Sequence, residues 1–320
     1  MSTQSSQILR GILAAIGGAM CFSVIDVAFK FLSGGYPLYQ VVLVRSLIAM
    51  AVLLAVIVPL SGGFHTLRTR HPRLQLFRCL AVFCANLSFF TGLAILPLAE
   101  AVAIAFATPL IVTALSALFL GERPGPWRWG AVAAGFTGVL IILRPGPDSF
   151  QAAALLPLLG ACGYATLHVL TRRAGGADSA AALAFYPTLG FLMISAAAGL
   201  ITGDGRFATG DSAAADYIFR AWSWPAAQDW PVFLAAGAAA SIGGYLTSQA
   251  YKLCEAGLAA GFEYAALPMA VFWGVTVFGE WPDAQAWAGT GLIVAAGLVS
   301  VWRETRLHRP ASRPRPRSTG

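Results

Sequence analysis

Three ionisable residues, Asp26, Lys30 and Arg45, stand within long apolar stretches of the sequence, where charged groups are costly and therefore uncommon. Asp26 and Lys30 are four residues apart, which places them on one face of a helix in the acid-before-base order that favours an ion pair. We expect the three to form a charged cluster at the outer mouth of a cavity, either binding an anionic group through Arg45 or closing that end. The alternative is a structural ion pair in which Lys30 extends toward the membrane surface.

A second polar group falls in the other half of the chain. His168 and Glu263 occupy similar depths in two apolar stretches, and such residues can take up and release a proton near neutral pH. We therefore predict that Glu263 or His168 couples proton movement to the function of the protein. The alternative is that each is held in a buried hydrogen bond.

Further polar and aromatic residues recur at spacings that keep them on one side of a helix. For the aromatic residues among them, packing in the core is an equally good explanation. We expect five of them to line a cavity or contribute to its gating: Asn86, Phe90, Tyr164, Tyr245 and Gln249.

The sequence has none of the spacings typical of an enzyme or a metalloprotein. It contains no glycine-rich phosphate loop with its lysine, no zinc-ligand spacing and no paired acids of the kind that hydrolases use. The five cysteines lie within or beside apolar runs, without the close pairing that a metal site or a disulfide framework needs. We expect no catalytic residue, no metal and no cofactor.

The composition indicates which elements must position these residues. Of the 320 residues, 58% are hydrophobic and 11% are charged, whereas a soluble domain has roughly 25% charged residues. Apolar runs long enough to cross a bilayer as helices recur along the chain. The predicted fold is an all-α polytopic membrane protein with ten transmembrane helices, near residues 11–31, 38–60, 75–96, 99–120, 127–144, 152–171, 180–202, 231–253, 257–278 and 284–302.

The distribution of positive charge predicts the orientation. If both termini are cytoplasmic, most of the 21 lysines and arginines fall on the cytoplasmic side, as the positive-inside rule requires. We therefore expect a multi-pass protein of the bacterial inner membrane, with the lipid bilayer as its surroundings. The net charge of +7 owes much to a basic cytoplasmic tail at 305–320, which we expect to be disordered, so it does not indicate nucleic-acid binding. The sequence leaves the oligomeric state open, and a monomer is sufficient.

An internal repeat divides the chain. The stretch AFATPLIVTALSALFLGE matches EYAALPMAVFWGVTVFGE, which pairs Pro109 with Pro268, and GAMCFSVIDVAFK matches GACGYATLHVLTR, which pairs Gly18 with Gly160. We expect the two prolines to bend their helices and to free carbonyl groups that can line a cavity. The Gly-Glu dipeptides that follow in both copies are interpreted as structural, because a carboxylate at a helix end can bind backbone amides.

The repeat predicts two units, 1–146 and 147–304, each with five spans. Because five is an odd number, the second unit must enter the membrane from the opposite side, so the repeat is inverted. This architecture is typical of secondary transporters, in which the solute site lies near the midplane between the halves.

The stretch PLAEAVAIAFATPLIVTALSALFLGERPGPWRWGAVAAGFTGVLII resembles the hallmark region of EamA-type transporters of the drug/metabolite transporter superfamily. Its mid-span proline, its terminal Gly-Glu and the glycine-rich span that follows carry the resemblance, which extends over residues 10–302. The resemblance implies a ten-helix inverted repeat, no prosthetic group, and movement of a small organic solute by alternating access. The segments IDVAFKFL and YQVVLVRSL look most like the subgroup that includes riboflavin and S-adenosylmethionine importers.

The predicted function is therefore a secondary transporter of a small organic metabolite, driven by protons or by exchange. A riboflavin-type vitamin or S-adenosylmethionine importer is the first candidate. An exporter of amino acids or other metabolites is an alternative, and a membrane-embedded enzyme acting on lipid-linked substrates is an alternative of another class.

Overall fold

The computed structural model describes residues 3–121, 125–143, 152–174, 178–208, 210, 212–254, 259 and 266–307, and the regular elements in these ranges are helical. We number the α-helices of seven or more residues in chain order. They are α1 (Thr3–Ser33), α2 (Leu38–Val52), α3 (Pro72–Ile95), α4 (Leu98–Ala105), α5 (Thr108–Phe119), α6 (Pro126–Leu143), α7 (Leu155–Ala174), α8 (Ala180–Thr202), α9 (Ala213–Phe219), α10 (Trp230–Leu253), α11 (Ala266–Phe278) and α12 (Ala284–Leu307).

Seven helices of the described ranges are long and apolar enough to cross a membrane: Gln7–Ser33, Leu38–Leu60, Pro72–Ile95, Leu98–Phe119, Ala152–Arg173, Ala180–Thr202 and Ala227–Leu253. Three shorter apolar helices, Trp129–Ile142, Ala266–Phe278 and Ala284–Val299, fall where three further spans are predicted. The start of the predicted span 257–278 and most of the predicted tail lie outside the described residues. The chain is an all-helical, multi-pass membrane protein.

The fourth predicted span is interrupted immediately before Pro109. Helix α4 ends at Ala105, and α5 begins at Thr108. Proline has no N–H to donate to the carbonyl four residues earlier, which here belongs to Ala105. The Thr108 hydroxyl donates to that carbonyl at 2.6 Å instead, so the carbonyl keeps a hydrogen-bond partner. Pro268 is the third residue of α11, and the carbonyl four residues before it falls in the undescribed residues 260–265.

Helices from the two halves of the sequence pack closely against each other. Helix α1 packs along α10, and α3 packs along α7. A Cβ atom at Gly18 would overlap the Thr247 hydroxyl oxygen on α10, and one at Gly160 would lie 2.9 Å from Phe89 Cβ on α3. The two glycines paired by the sequence repeat therefore occupy equivalent positions in the packing, each where its helix meets a helix of the other half.

Helices α6 and α12 also meet backbone to backbone. A Cβ atom at Gly289 would lie 2.6 Å from the Gly138 carbonyl oxygen, and one at Gly138 would lie 2.7 Å from the Gly289 carbonyl oxygen. Small residues permit such close approach, on which helix association in a bilayer depends because lipid supplies little hydrophobic driving force.

We expect Gly289→Leu to lower the stability of the folded protein by about 2 kcal/mol, because the new side chain must push two backbones apart. Gly291→Leu on the same helix is the matched control, because a Cβ atom there meets nothing within 4 Å. Thermal unfolding of both variants in detergent measures the difference. Equal melting temperatures would contradict the close contact.

Candidate functional site

A cavity of about 220 Å³ lies inside the bundle, lined by residues from both halves of the sequence. Its walls come from α1 to α5 in the first half and from α7, α8, α10 and α11 in the second. Aromatic and aliphatic side chains form most of the lining, and the charged groups among the lining residues are Asp26, Arg45 and Arg78. A largely apolar cavity with few polar groups is typical of a site for a small organic molecule.

Most of the residues predicted from the sequence meet in this cavity. Six of them contribute to its lining, together with Pro109 at the break between α4 and α5. Those six are Asp26, Arg45, Asn86, Phe90, Tyr164 and His168. Glu263, the remaining acidic candidate, lies outside the described residues.

Lys30 does not join Asp26 and Arg45, so the predicted three-charge cluster is wrong in this respect. The Lys30 ammonium contacts Glu280 Oε1 at 2.7 Å and donates to the Leu96 carbonyl oxygen at 2.8 Å. Glu280 also accepts a hydrogen bond from the Leu98 amide at 2.9 Å. A carboxylate and a carbonyl from neighbouring elements thus give Lys30 two acceptors. Glu280 is the glutamate of the second Gly-Glu dipeptide. Its hydrogen bond with the Leu98 amide agrees with the structural role predicted for that dipeptide.

Tyr245 and Gln249 also lie away from the cavity lining. The Gln249 amide donates to the Tyr245 hydroxyl at 3.1 Å, and Tyr245 packs against the cluster that contains Leu53. The residues of α10 that line the cavity include Thr247 and Ser248. A helix turns by about 100° per residue, so Tyr245 and Gln249 each lie about 100° around α10 from the lining residues Gly244 and Ser248.

Arg45 lines the cavity with a donor that no described residue accepts. Its side chain is 5% exposed, and the Nε atom has no hydrogen-bond partner among the described residues. The guanidinium carbon lies 5.3 Å from the ring centre of Phe29 and 5.0 Å from that of Phe191, which are cation–π distances. Phe29 is stacked on Phe90 at 3.8 Å between ring centres. Arg45 is therefore held by aromatic faces, which leave its donors free for an acceptor in the cavity.

Sequence reasoning missed Arg78, which it counted only as a positive charge beside the membrane. Its Nε donates to the Thr171 hydroxyl at 3.1 Å and its Nη2 to the Leu183 carbonyl at 2.9 Å, while Nη1 donates to Gln75. Arg78 lies two turns before Asn86 on α3, so the four-residue spacing used for Asn86 and Phe90 would also have found it.

His168 lines the cavity and is held by a second ring. Its imidazole is stacked on Tyr251 with ring centres 4.4 Å apart and planes 9° apart. Tyr164, one turn earlier on α7, lies within electrostatic range of both Asp26 and Arg45. The stripe formed by Tyr164 and His168 therefore runs along the cavity, as their spacing predicts.

A buried carboxylate fixes the end of the bundle below Arg78. Asp178 accepts hydrogen bonds from the Thr69 hydroxyl at 2.6 Å, the Gln75 amide at 2.6 Å and the Arg70 backbone amide at 3.1 Å. Burial by itself raises the pKa of Asp178, but the three hydrogen bonds outweigh it and hold that pKa below its ordinary value. Asp178 therefore joins the segment before α3 to the segment before α8.

The lowered pKa makes Asp178 a source of stability that depends on pH. The free energy that Asp178 contributes to folding is fully present above its unfolded-state pKa, and it is lost as the pH falls through its folded-state pKa. We expect Asp178→Asn to cost about 2 kcal/mol at neutral pH and to flatten the loss of stability on acidification. Melting temperatures between about pH 7 and about pH 3 measure this. Asp204→Asn, at an exposed position, is the control, and an equally steep acid dependence in both variants would contradict the assignment.

The opposite end is covered by the described residues between 203 and 229, which we call the covering segment. Gln40 and Ser223 exchange hydrogen bonds between the Gln40 side chain and the Ser223 backbone. The Tyr36 hydroxyl donates to Asp229 at 2.7 Å, and Arg220 donates to the Gly34 carbonyl at 3.0 Å. The covering segment is thus tied to the turn between α1 and α2.

Comparison with known proteins shows which family the sequence matches. The model of the EamA-like transporter family matches residues 9–144. A riboflavin transporter of Rhizobium johnstonii is 30% identical over 77% of this chain and 76% of its own length. An S-adenosylmethionine uptake transporter of Rickettsia bellii is 26% identical over 88% of this chain and 89% of its own length.

The fold is similar to that of a solved protein. A crystal structure with 22% sequence identity superposes with a TM-score of 0.70, covering 95% of this chain and 99% of the other. At this identity the likeness concerns the fold alone.

Proposed function

The chain belongs to the EamA-like transporter family and is a small-metabolite transporter, and we propose that its solute is riboflavin or a close relative, which it imports. Arg45 among its aromatic neighbours is the observation that carries the proposal. The flavin ring system offers an apolar face for stacking and carbonyl oxygens at one edge. A buried arginine with free donors, beside Phe90 and Phe191 in the cavity lining, suits both features.

We propose that the fold consists of two inverted units, 1–146 and 147–304, with ten transmembrane helices in all. The packing supports this: α1 meets α10 as α3 meets α7, and repeat-paired Gly18 and Gly160 lie at the two contacts. A cavity lined from both units then lies at their interface, where alternating access needs its solute site.

The membrane placement follows from charge and surface. We propose the bacterial inner membrane with both termini cytoplasmic, because most arginines and lysines then lie inside. Large apolar side chains such as Leu200, 90% exposed, and Leu118, 75% exposed, then face lipid. The cavity is lined within one chain, so a monomer is sufficient for transport.

Proton coupling through His168 or Glu263 remains part of the proposal. His168 supports it by its position in the cavity lining, because a proton and a solute that share a cavity can compete or cooperate there. Riboflavin uptake into proteoliposomes that is indifferent to an imposed pH gradient would count against coupling.

A second candidate solute is S-adenosylmethionine, which Asp26 favours. Its carboxylate lines the same cavity as Arg45, so the two groups could take the cationic and anionic ends of a zwitterion. Aromatic faces would then receive the adenine ring.

The test is uptake of labelled riboflavin into proteoliposomes, with S-adenosylmethionine measured in parallel. We expect saturable riboflavin uptake that excess unlabelled riboflavin abolishes and excess S-adenosylmethionine does not. Uptake of S-adenosylmethionine alone would replace the first candidate with the second, and uptake of neither would reject both.

A further inference from the structure

We infer that Arg78 forms a second subsite of the cavity, which binds hydroxyl or other acceptor groups on the chain attached to the flavin ring. The inference rests on the proposed function. It assigns to Arg78 a role in selecting the part of the solute that differs between riboflavin and simpler flavins.

The subsite lies at a different depth from Arg45. Tyr164 is near Arg45 and Asp26, whereas Thr171 on the same helix accepts a hydrogen bond from Arg78. A helix rises 1.5 Å per residue, so these two levels are about 10 Å apart along α7. One elongated solute can therefore reach both arginines, with its ring at the first level and its chain at the second.

Arg78 has donors left for a ligand. A guanidinium carries five N–H groups, and three hydrogen bonds to the protein account for one each from Nε, Nη1 and Nη2. Arg78 nevertheless lines the cavity. Its remaining N–H groups, one on each terminal nitrogen, are the donors that we assign to the solute.

The surrounding residues fix the guanidinium in place before a ligand arrives. Thr171 donates to the Leu167 carbonyl while it accepts from Arg78, so its hydroxyl is oriented on both sides. Gln75 accepts from Arg78 and donates to Asp178, which places an acid behind the arginine on the side away from the cavity. Such support lowers the cost of ordering the side chain when a ligand binds.

The chemistry of the group limits what it can bind. Arginine has no acceptor, so its partner must be a hydroxyl oxygen, a carbonyl, a carboxylate or a phosphate. The ribityl chain of riboflavin offers hydroxyl oxygens, whereas lumiflavin has the same ring with a methyl group in place of that chain. The two ligands therefore isolate the contribution of the second subsite.

The test measures dissociation constants of riboflavin and lumiflavin, from quenching of flavin fluorescence, for the full-length protein and for Arg78→Gln. We expect the unmodified protein to prefer riboflavin by about tenfold, the factor for one net hydrogen bond to a charged donor. In Arg78→Gln the preference should fall below about threefold, with lumiflavin affinity nearly unchanged. Arg70→Gln, at an exposed arginine near the same end, should keep the preference.

Each outcome decides a different question. Equal weakening of both ligands in Arg78→Gln would show a structural role and overturn the inference while leaving riboflavin as the solute. Binding of neither flavin by the unmodified protein would overturn the proposed function and the inference with it. If Arg78→Gln does not fold, Arg78→Lys retains the buried charge without the planar fork, and an unchanged tenfold preference in that variant would overturn the inference.

Discussion

Replacement of Arg45 by methionine is expected to reduce riboflavin uptake by roughly 10- to 100-fold, the loss that follows from removing one or two hydrogen bonds from a charged donor. Methionine fills much of the same space between Phe29 and Phe191, so the cavity wall is retained. Removing a buried charge without a partner at Nε also relieves a desolvation penalty. We therefore expect Arg45→Met to fold at least as well as the unmodified protein.

Initial uptake rates in proteoliposomes, normalised to folded protein, measure this effect. Arg45→Lys should retain only part of the activity, because an ammonium cannot present two parallel donors or stack as a guanidinium does. Arg206→Met is the control, because Arg206 lies in the covering segment with 57% of its side chain exposed. Normal uptake by Arg45→Met would remove Arg45 from the solute site.

Breaking the ion pair of Lys30 and Glu280 is expected to have the largest effect on stability. The pair joins α1 and the start of α4 in the first half to the segment after α11 in the second. Glu280→Ala leaves the Lys30 ammonium, 11% exposed, and the Leu98 amide without their carboxylate. We expect it to lower the free energy of unfolding by roughly 2–3 kcal/mol.

The double variant Lys30→Met/Glu280→Ala distinguishes a pair from two independent contributions. It should be less destabilised than the sum of the single variants, with a coupling of about 1–3 kcal/mol, because the unpaired charge is then absent. Asp204 and Arg206 form a matched control cycle, since both side chains are more than half exposed, and exposed pairs couple by at most about 1 kcal/mol. Unfolding in mixed micelles measures both cycles, and equal coupling in the two would contradict the role given to Lys30.

The helical fold and much of the site could be predicted because they follow from local rules. Charged groups in apolar helices are costly, so Asp26 and Arg45 were predicted to be functional residues. Both line the cavity. Helical spacing brought Tyr164 and His168 to the same wall. The repeat placed Gly18 and Gly160 at close helix contacts because both copies face the same packing constraint.

The remainder depends on contacts between residues far apart in the sequence. The helical spacing that suggested an Asp26–Lys30 pair carries no information about Glu280, 250 residues away, which takes the lysine instead. The rotation of α10 is set by its packing on α1, so the face of Tyr245 and Gln249 could not be decided from their own helix. Arg78 was not predicted because it lies near a membrane surface, where the positive-inside rule already accounts for positive charges.

The proposed riboflavin site is tested most directly by a structure of the protein determined in complex with riboflavin. We predict the flavin ring in the cavity among Phe90, Phe191 and Arg45, with an Arg45 nitrogen within hydrogen-bond distance of a ring carbonyl oxygen. A flavin bound elsewhere, or in the cavity without contact to Arg45, would contradict the central claim.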